Sequence, residues 1–169
     1  MLGEDLLTVD PLEFRSIIGH FATGVTVITT AAGDRLHGMT ANAVSSLSLD
    51  PVMVLICVDK STHTHRVLDE GGVFVVNILG EGQEEVSRVF AKKAEPEAGT
   101  LRGQPFRRGE TGAPILDGCL AFLECRVANV VDGGDHSIFL GRVVSEGVVE
   151  EMRPLLFYRG AYRALRAAE

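Results

Sequence analysis

Five histidines, three cysteines and one run of small polar residues are the parts of this 169-residue chain with chemistry to offer. The histidines are His20, His37, His63, His65 and His136. No Ser-His-Asp order is recognisable, no cysteine has a base beside it, and spacing elects none of the five histidines as a catalytic base. Cys57, Cys119 and Cys125 have no zinc-like spacing, are odd in number and lie in apolar contexts. Reduced, buried thiols are therefore expected. In "STHTH", His63 and His65 stand two apart, so they point to different sides of a helix or share one face of a strand. No carboxylate or cysteine stands nearby at a spacing that would complete a metal site, and no metal is expected.

Three other stretches could meet a ligand. "GMTANAVSSLSLDP" (38–51) carries Thr40, Asn42, Ser45, Ser46 and Ser48 with no charge before Asp50, then runs into the apolar "VMVLICV". These small polar groups are either turn residues or the lining of a place where something other than protein packs. "DKSTHT" (59–64) admits two interpretations. Ser61 or Thr62 can cap a short helix, or that cap can serve as a phosphate cradle beside Lys60. "GGDH" (133–136) is either a plain hairpin turn or a loop tip that presents His136. A fourth stretch, "VFVVNILGEGQEEVSRVF", imitates a dinucleotide-binding turn. Its pattern Gly80-x-Gly82 has Glu85 where a third glycine should allow close helix–strand packing, and a carboxylate there would oppose a pyrophosphate.

The elements that must position these residues are legible in outline. "DPLEFRSIIGHF" (10–21) reads as a helix capped by Asp10, with Pro11 in its first turn, Glu13 closing a capping box, and Phe14, Ile17, Ile18 and Phe21 on one face. "GVTVITT", "VMVLICV" and "VFVVNIL" are β-branched or apolar runs typical of strands. "STHTHRVLDEGG" is a short helix ended by glycine, and "QEEVSRVFAKK" is a helix with Val86, Val89 and Phe90 at helical spacing. Residues 94–114 read as one long surface loop, rich in Gly, Pro and charge, in which Arg102, Arg107 and Arg108 either meet a second phosphate or, the favoured reading, form a solvated surface cluster. In "LAFLECRVANVV", alternation puts Leu123, Cys125, Val127 and Val131 on one face, with Glu124 and Arg126 on the other. "DGGD" turns the chain into the long strand "HSIFLGRVVSEGVV", and "PLLFYRGAYRAL" closes with a short strand and a tail. Six or more strands without regular βαβ alternation point to a mainly β protein, an antiparallel barrel with a few peripheral helices.

Bulk properties narrow the function. The length suits a single domain over 1–169. A net charge of −7 excludes the basic surface a nucleic-acid binder needs, though a few local donors still hold one phosphate. "MLGEDLLTVD" is acidic where a secretion signal is basic, and no apolar run is long enough to span a bilayer, so a cytoplasmic location without membrane contact is expected.

Several stretches together carry a resemblance: "FATGVTVITT", "GMTANAVSSLSLDPVMVLICVDKSTHT", "FVVNIL", "FAKK", "GGDHSIFLGRV" and "PLLFYRGAYRAL", in family order from about residue 12 to 166. The chain resembles the small NAD(P)H:flavin oxidoreductases with an FMN-binding split barrel, the reductase components of two-component flavin monooxygenases. The resemblance implies an antiparallel Greek-key split β-barrel that forms a homodimer, FMN or FAD as cofactor, NADH or NADPH as hydride donor, and a separate oxygenase partner. It implies that Thr40, Ala41 and Asn42, next to Met39, line the flavin ring largely through backbone groups. Ser45, Ser46, Lys60 and Ser61 fall toward the ribityl chain and phosphate, Cys57 and Val58 flank the cofactor, and Phe90 and Ala91 close over its tail. His136, in the segment matching the family's GDH motif, is a positioning residue on the nicotinamide side. Tyr158, Arg159 and Tyr162 come from the C-terminal segment. Two alternatives stay open: a non-catalytic FMN-binding split-barrel protein, and a β-barrel interaction protein with no cofactor.

Overall fold

A computed structural model describes residues 9–149 and 151–166; the acidic start of the chain, "MLGEDLLT", lies outside them. The elements in order are α1 (Pro11–Ile18), β1 (Thr23–Gly24), β2 (Thr26–Ala32), β3 (Arg35–Ala41), β4 (Val44–Leu49), β5 (Val52–Asp59), α2 (His63–Gly71), β6 (Val73–Ile78), α3 (Glu84–Ala91), β7 (Glu97–Ala98), β8 (Phe106–Arg108), β9 (Pro114–Leu116), β10 (Ala121–Gly133), β11 (His136–Val148), β12 (Leu156–Tyr158) and β13 (Ala161–Arg163).

The main sheet has eight strands in the order β4-β5-β11-β10-β6-β2-β3-β7, each neighbouring pair antiparallel. The chain leaves β5, crosses through α2 to β6, and later inserts the β10–β11 hairpin between them, which is a Greek-key return. The sheet curls on itself. Ala41 of β3, near one end of the strand order, shares a core with Val54, Ile56 and Val58 of β5 near the other, around Ile28, Phe74, Val76, Cys125 and Phe139. Among the described residues no helix is long and apolar enough to cross a membrane.

A second core lies outside the barrel wall, where Val25, Val27, Leu36, Leu79, Phe90, Leu101 and Leu155 bring α3 and the C-terminal segment against β2 and β3. Both faces of β2 are thus covered, which is why its sequence shows no polar alternation. Its buried hydroxyls are all used: Thr26 Oγ1 donates to the Ala41 carbonyl at 2.6 Å, Thr30 Oγ1 to the Val73 carbonyl at 2.7 Å, and Thr29 Oγ1 to the Pro114 carbonyl. Asn77 of β6 donates to the Val27 carbonyl at 3.0 Å and accepts from the Leu116 amide at 2.8 Å. Each of these four buried side chains is thereby matched, as its desolvation requires, whereas the buried Thr23 hydroxyl has no partner among the described residues.

Helix ends follow local chemistry. Asp10 accepts from the Leu12 amide at 2.9 Å at the start of α1. Thr62, the better of the two expected caps, accepts from the His65 amide at 3.2 Å at the start of α2, and Gly72 ends that helix with φ +65°. No residue of α1 is buried; Leu12 is 73% exposed, and Phe14, Ile17, Ile18 and Phe21 also face solvent in the single chain.

Two expectations fail. Residues 94–114 are not one solvated loop. β7 pairs with the start of β3, β8 pairs with β9, and Leu101 is buried in the second core. Arg102 is a tie rather than a surface charge, donating to the carbonyls of Val89 and Lys92 at 2.7 Å each with its guanidinium over Phe90. Arg107 lies over the Phe122 ring, and Arg108 donates to the Gly112 carbonyl. The second fails only in part: β10 alternates as predicted through Val127, with Leu123, Cys125 and Val127 packed on the barrel core, but the bulge between Val127 and Asn129 ends the period and leaves Val131 exposed, and Glu124 on the other face is fully buried. The Glu124 carboxylate accepts from the Glu110 amide (3.1 Å), the Thr111 amide (2.5 Å) and the Thr111 hydroxyl (2.6 Å), and so seats a loop whose own donors would otherwise lack partners.

Glu124→Leu should cost about 3 kcal/mol in chemical denaturation, because it strands several buried donors at once, whereas Glu124→Gln, which keeps an acceptor oxygen, should cost less. His37 yields a pH prediction. It is buried, with Nδ1 beside Thr64 Oγ1 (2.8 Å) and Nε2 beside the Ala94 carbonyl (2.9 Å), and burial lowers its pKa from the ordinary 6.5. A histidine less basic folded than unfolded stabilises fully above pH 6.5 and loses that contribution as pH falls through it. Unfolding free energy should fall from pH 7 toward pH 5, and His37→Gln should flatten that slope.

Candidate functional site

Antiparallel pairing serves only part of β3. One edge pairs with β2 along its length, but β7 covers the other only at Arg35 and Leu36. From His37 to Ala41 the outer edge has no strand partner among the described residues. Two clefts open along it. The larger, ≈590 Å³, is walled by His37 to Thr40 of β3, by Ser61 to Thr64 at the start of α2, and by Phe90 to Glu95 where α3 ends. The smaller, ≈200 Å³, holds Thr40, Ala41, Asn42, Ser87, Ala91, Phe157 and Tyr162. Thr40 and Ala91 line both, so the clefts adjoin.

The walls are fixed by short polar contacts. Thr40 Oγ1 donates to the Ser87 carbonyl at 2.6 Å and holds α3 beside β3. The Tyr162 hydroxyl donates to Ser87 Oγ at 2.9 Å, and its ring meets Phe157 edge-on. Gly38 is required where it stands: a Cβ there would come within 2.9 Å of the Phe90 ring. The strap 92–95 is pinned at its Ala94 carbonyl by His37 and at its Lys92 carbonyl by Arg102. Glu97 orders the next turn by accepting from Thr100 and from the Arg102 amide, bonds that hold its pKa below the ordinary value.

The larger cleft is electropositive in an acidic protein. Neither Lys92 nor Lys93 has a carboxylate partner within ion-pair distance among the described residues. Thr62 satisfies the His65 amide, so the preceding amides of α2, those of His63 and Thr64, lack partners within the helix. His63 and Thr64 line the same cleft as the two lysines, a combination of helix start and cations that suits an anion.

Of the residues singled out from sequence, Met39, Thr40, Ser61, Phe90 and Ala91 line the larger cleft, and Ala41 and Asn42 line the smaller with Thr40 and Ala91. Lys60 turns away: its ammonium meets the Asp132 carboxylate and the Gly134 carbonyl at the β10–β11 turn. That contact lowers the pKa of Asp132. His136 lies beside it, in register with Asp59, its Nδ1 2.7 Å from the Asp135 carboxylate. Ser45 and Ser46 are exposed on β4, and Ser45 donates to the Ser46 carbonyl. Cys57 is half-buried on β5 and Val58 is fully buried in the barrel core, and neither lines a cleft. Tyr158 packs edge-on against His20, while Arg159 has φ +50° and donates its amide to the Gly19 carbonyl.

Sequence reasoning missed His37, Lys92, Lys93 and the half-buried His63. The one signal for the lysines was the pair in "FAKK", adjacent in sequence to Phe90 and Ala91. Nothing local marks His37, whose two partners lie 27 and 57 residues away. His65 binds Ser137 Oγ and packs against Phe139. Among the described residues no three His, Cys, Asp or Glu side chains cluster as a metal would need. The three thiols are free, and burial raises those of Cys119 and Cys125, the latter to about 12.

Comparison with known proteins agrees across sequence and structure. The model of the flavin reductase like domain matches residues 18–166. The reductase subunit HsaB of a flavin-dependent monooxygenase from Mycobacterium tuberculosis is 43% identical over 159 residues, covering 93% of this chain and 83% of the relative. An NADH-dependent FAD reductase from Streptomyces globisporus is 39% identical over 156 residues, 91% of this chain and 85% of that one. The solved structure of the Streptomyces globisporus C-1027 NADH:FAD oxidoreductase SgcE6 superposes with a TM-score of 0.87 at 38% identity, over 95% of this chain and 98% of the other. The split barrel with its helix-flanked cleft thus matches both in sequence and in shape, and the chain belongs to the flavin reductase-like family.

Proposed function

We propose that this protein is an NAD(P)H:flavin oxidoreductase that reduces FMN or FAD and supplies the reduced flavin to a separate monooxygenase. The observation that carries this reading is the composite cleft: an unpaired strand edge at one end and an anion site at the other. A flavin has the matching halves, a planar ring with hydrogen-bonding edges and an anionic phosphate tail. The ring is assigned to the free edge at Met39, Thr40, Ala41 and Asn42, where small side chains let the backbone come close. The tail is assigned to Ser61, the first amides of α2, and Lys92 with Lys93, under Phe90 and Ala91.

The bound cofactors supply the chemistry, a hydride moving from nicotinamide to flavin. That step needs no protein acid or base, which fits a site without a nucleophile–base pair. The chain's contribution is to hold two planar rings together and to offer donors where negative charge develops. Asn42 has a side-chain amide for this role. His136 sits at the mouth of the β10–β11 turn. With Nδ1 engaged by Asp135, its Nε2 has no partner among the described residues and is free to position the nicotinamide amide. Lys60 fixes that turn through Asp132 and Gly134.

A homodimer belongs to the same proposal. α1 buries none of its apolar face within the chain, and Leu47, Leu49 and Val52 are exposed on the β4–β5 hairpin. A short amphipathic helix gains its stability from packing, and a second copy supplies the missing surface. The three free thiols suit a reducing cytoplasm.

The purified protein should oxidise NADH or NADPH only when FMN or FAD is added, followed at the nicotinamide absorbance. A protein that binds flavin and leaves both nucleotides unoxidised would be a flavin holder and would sink the proposal. His136→Ala should lower kcat/KM for the nicotinamide nucleotide about tenfold, equal to ~1.4 kcal/mol, with flavin affinity unchanged; an effect on flavin affinity alone would remove His136 from the nicotinamide side.

A further inference from the structure

His37 ties together two walls of the larger cleft, the start of α2 and the strap 92–95. Its tautomer follows from its partners. A carbonyl only accepts, so Nε2 carries a hydrogen and donates to the Ala94 oxygen at 2.9 Å, and Nδ1 accepts from the Thr64 hydroxyl at 2.8 Å. His37 is 6% exposed and Thr64 1%. Among the described residues the Thr64 hydroxyl has no other hydrogen-bond partner. A proton added at Nδ1 would point at the Thr64 oxygen and force that hydroxyl to turn its own hydrogen into buried space without an acceptor. The two ties as they stand require a neutral ring.

The charges around the ring also oppose a proton. The nearest is Arg102, whose guanidinium nitrogen lies 3.4 Å from Nε2; since Nε2 already carries a hydrogen, the approach is a meeting of two donors and not a bond. Lys92 and Lys93 belong to the strap itself and line the same space. From α2 come Thr64 and the His63 ring, whose centroid is 6.1 Å from that of His37. β2 contributes the uncharged Thr30 opposite His37, and α3 the uncharged Phe90. Along β3, Arg35 is paired with Glu70. Two carboxylates act in the opposite sense, and both are engaged: Glu95 by His63 at 3.2 Å, and Glu97 by Thr100 and the Arg102 amide. A charged His37 would thus meet Arg102 and the strap's own two lysines.

We propose that His37 is a proton-operated latch on the cleft: neutral, it positions the strap that presents Lys92 and Lys93 to the flavin tail; protonated, it frees the strap and the flavin leaves. The inference rests on the assignment of the flavin tail to the space between the start of α2 and those lysines. His37 is a positioning residue, acting on the ligand through the strap. Burial lowers its pKa from the ordinary 6.5, so the latch is closed at neutral pH. The binding-competent form is the deprotonated one. Affinity is complete above pH 6.5 and is lost as pH falls through the folded pKa, and flavin binding to partly protonated protein releases a proton. Plain attraction between a phosphate and an imidazolium would give the opposite signs, tighter binding in acid and proton uptake.

The test measures Kd for FAD by flavin fluorescence on the full chain, at each pH between 7.5 and 5 where a thermal melt shows the native fold. FAD is the probe because its pyrophosphate stays ionised, whereas the phosphate of FMN takes up a proton at about pH 6. Binding should weaken about fivefold across that range, and calorimetry in buffers of different ionisation enthalpy should show protons released on the acid side. His37→Gln, whose amide can replace both bonds without titrating, should bind FAD within about threefold of wild type at pH 7.5 and lose both the slope and the proton release. His63→Gln should keep both. A flat profile, tighter binding in acid, proton uptake, or a slope that survives in His37→Gln would each overturn the latch while leaving the flavin site intact. Should His37→Gln not fold, the sign of the proton change in the wild type still decides. Failure of the wild type to bind FAD at pH 7.5 would overturn the functional reading itself, and this inference with it.

Discussion

An unpaired strand edge in a folded protein must be covered, charged or used. In this molecule the edge of β3 from His37 to Ala41 has no strand partner among the described residues, and the rest of the structure is arranged around it. β2 locks the inner edge, with Thr26 satisfying the Ala41 carbonyl. α3 is held alongside by the Thr40–Ser87 bond, so the edge faces a cleft instead of open solvent. β7 pairs only with the first two residues of β3, which protects the strand's beginning and leaves its end free. An edge kept open inside a protein is a hydrogen-bonding surface that a planar ring can occupy and that neighbouring chains cannot easily reach.

The opposite wall of the cleft is a peptide strap held by side chains from elsewhere. His37 and Arg102 between them take the carbonyls of Val89, Lys92 and Ala94, and Glu97 orders the turn that aims Arg102. These bonds place Lys92 and Lys93 opposite the first amides of α2. The proposed anion site is therefore a product of two helix ends, the start of α2 and the end of α3, brought together by a buried histidine and a half-buried arginine. Glu124 does similar work on the far side of the sheet by seating the loop at Thr111. In both places a charged or polar group withdrawn from solvent holds irregular backbone that has no ladder of its own.

Much of this was legible from local sequence because local physics decides it. β-branched runs became strands, Asp10 and Thr62 became caps, Gly72 ended α2, and "DGGD" became the hairpin turn before His136. Met39 to Asn42, Ser61, Phe90 and Ala91 were all singled out, and all line the two clefts. Alternation in β10 held through Val127 and failed at Val131, because the bulge between Val127 and Asn129 changes the face of the residues after it, and periodicity cannot show a bulge. The composition of 94–114 suggested solvent, yet Leu101 and the arm of Arg102 are packed, since a glycine-rich segment can carry short strands once a neighbouring edge offers pairing.

By itself the sequence determined the element types, the caps and turns, the mainly β class and the charge-poor wall at residues 38–42, because each depends on residues within a few positions of one another. Only the tertiary structure decided which edge of β3 stays unpaired, that His37 lies between Thr64 and Ala94, that Lys60 turns to Asp132 and not to the cleft, and that Glu124 is buried. Those outcomes depend on strand order and on contacts between residues far apart in the chain. No local pattern encodes them, because the free energy that selects them appears only when distant groups meet out of water.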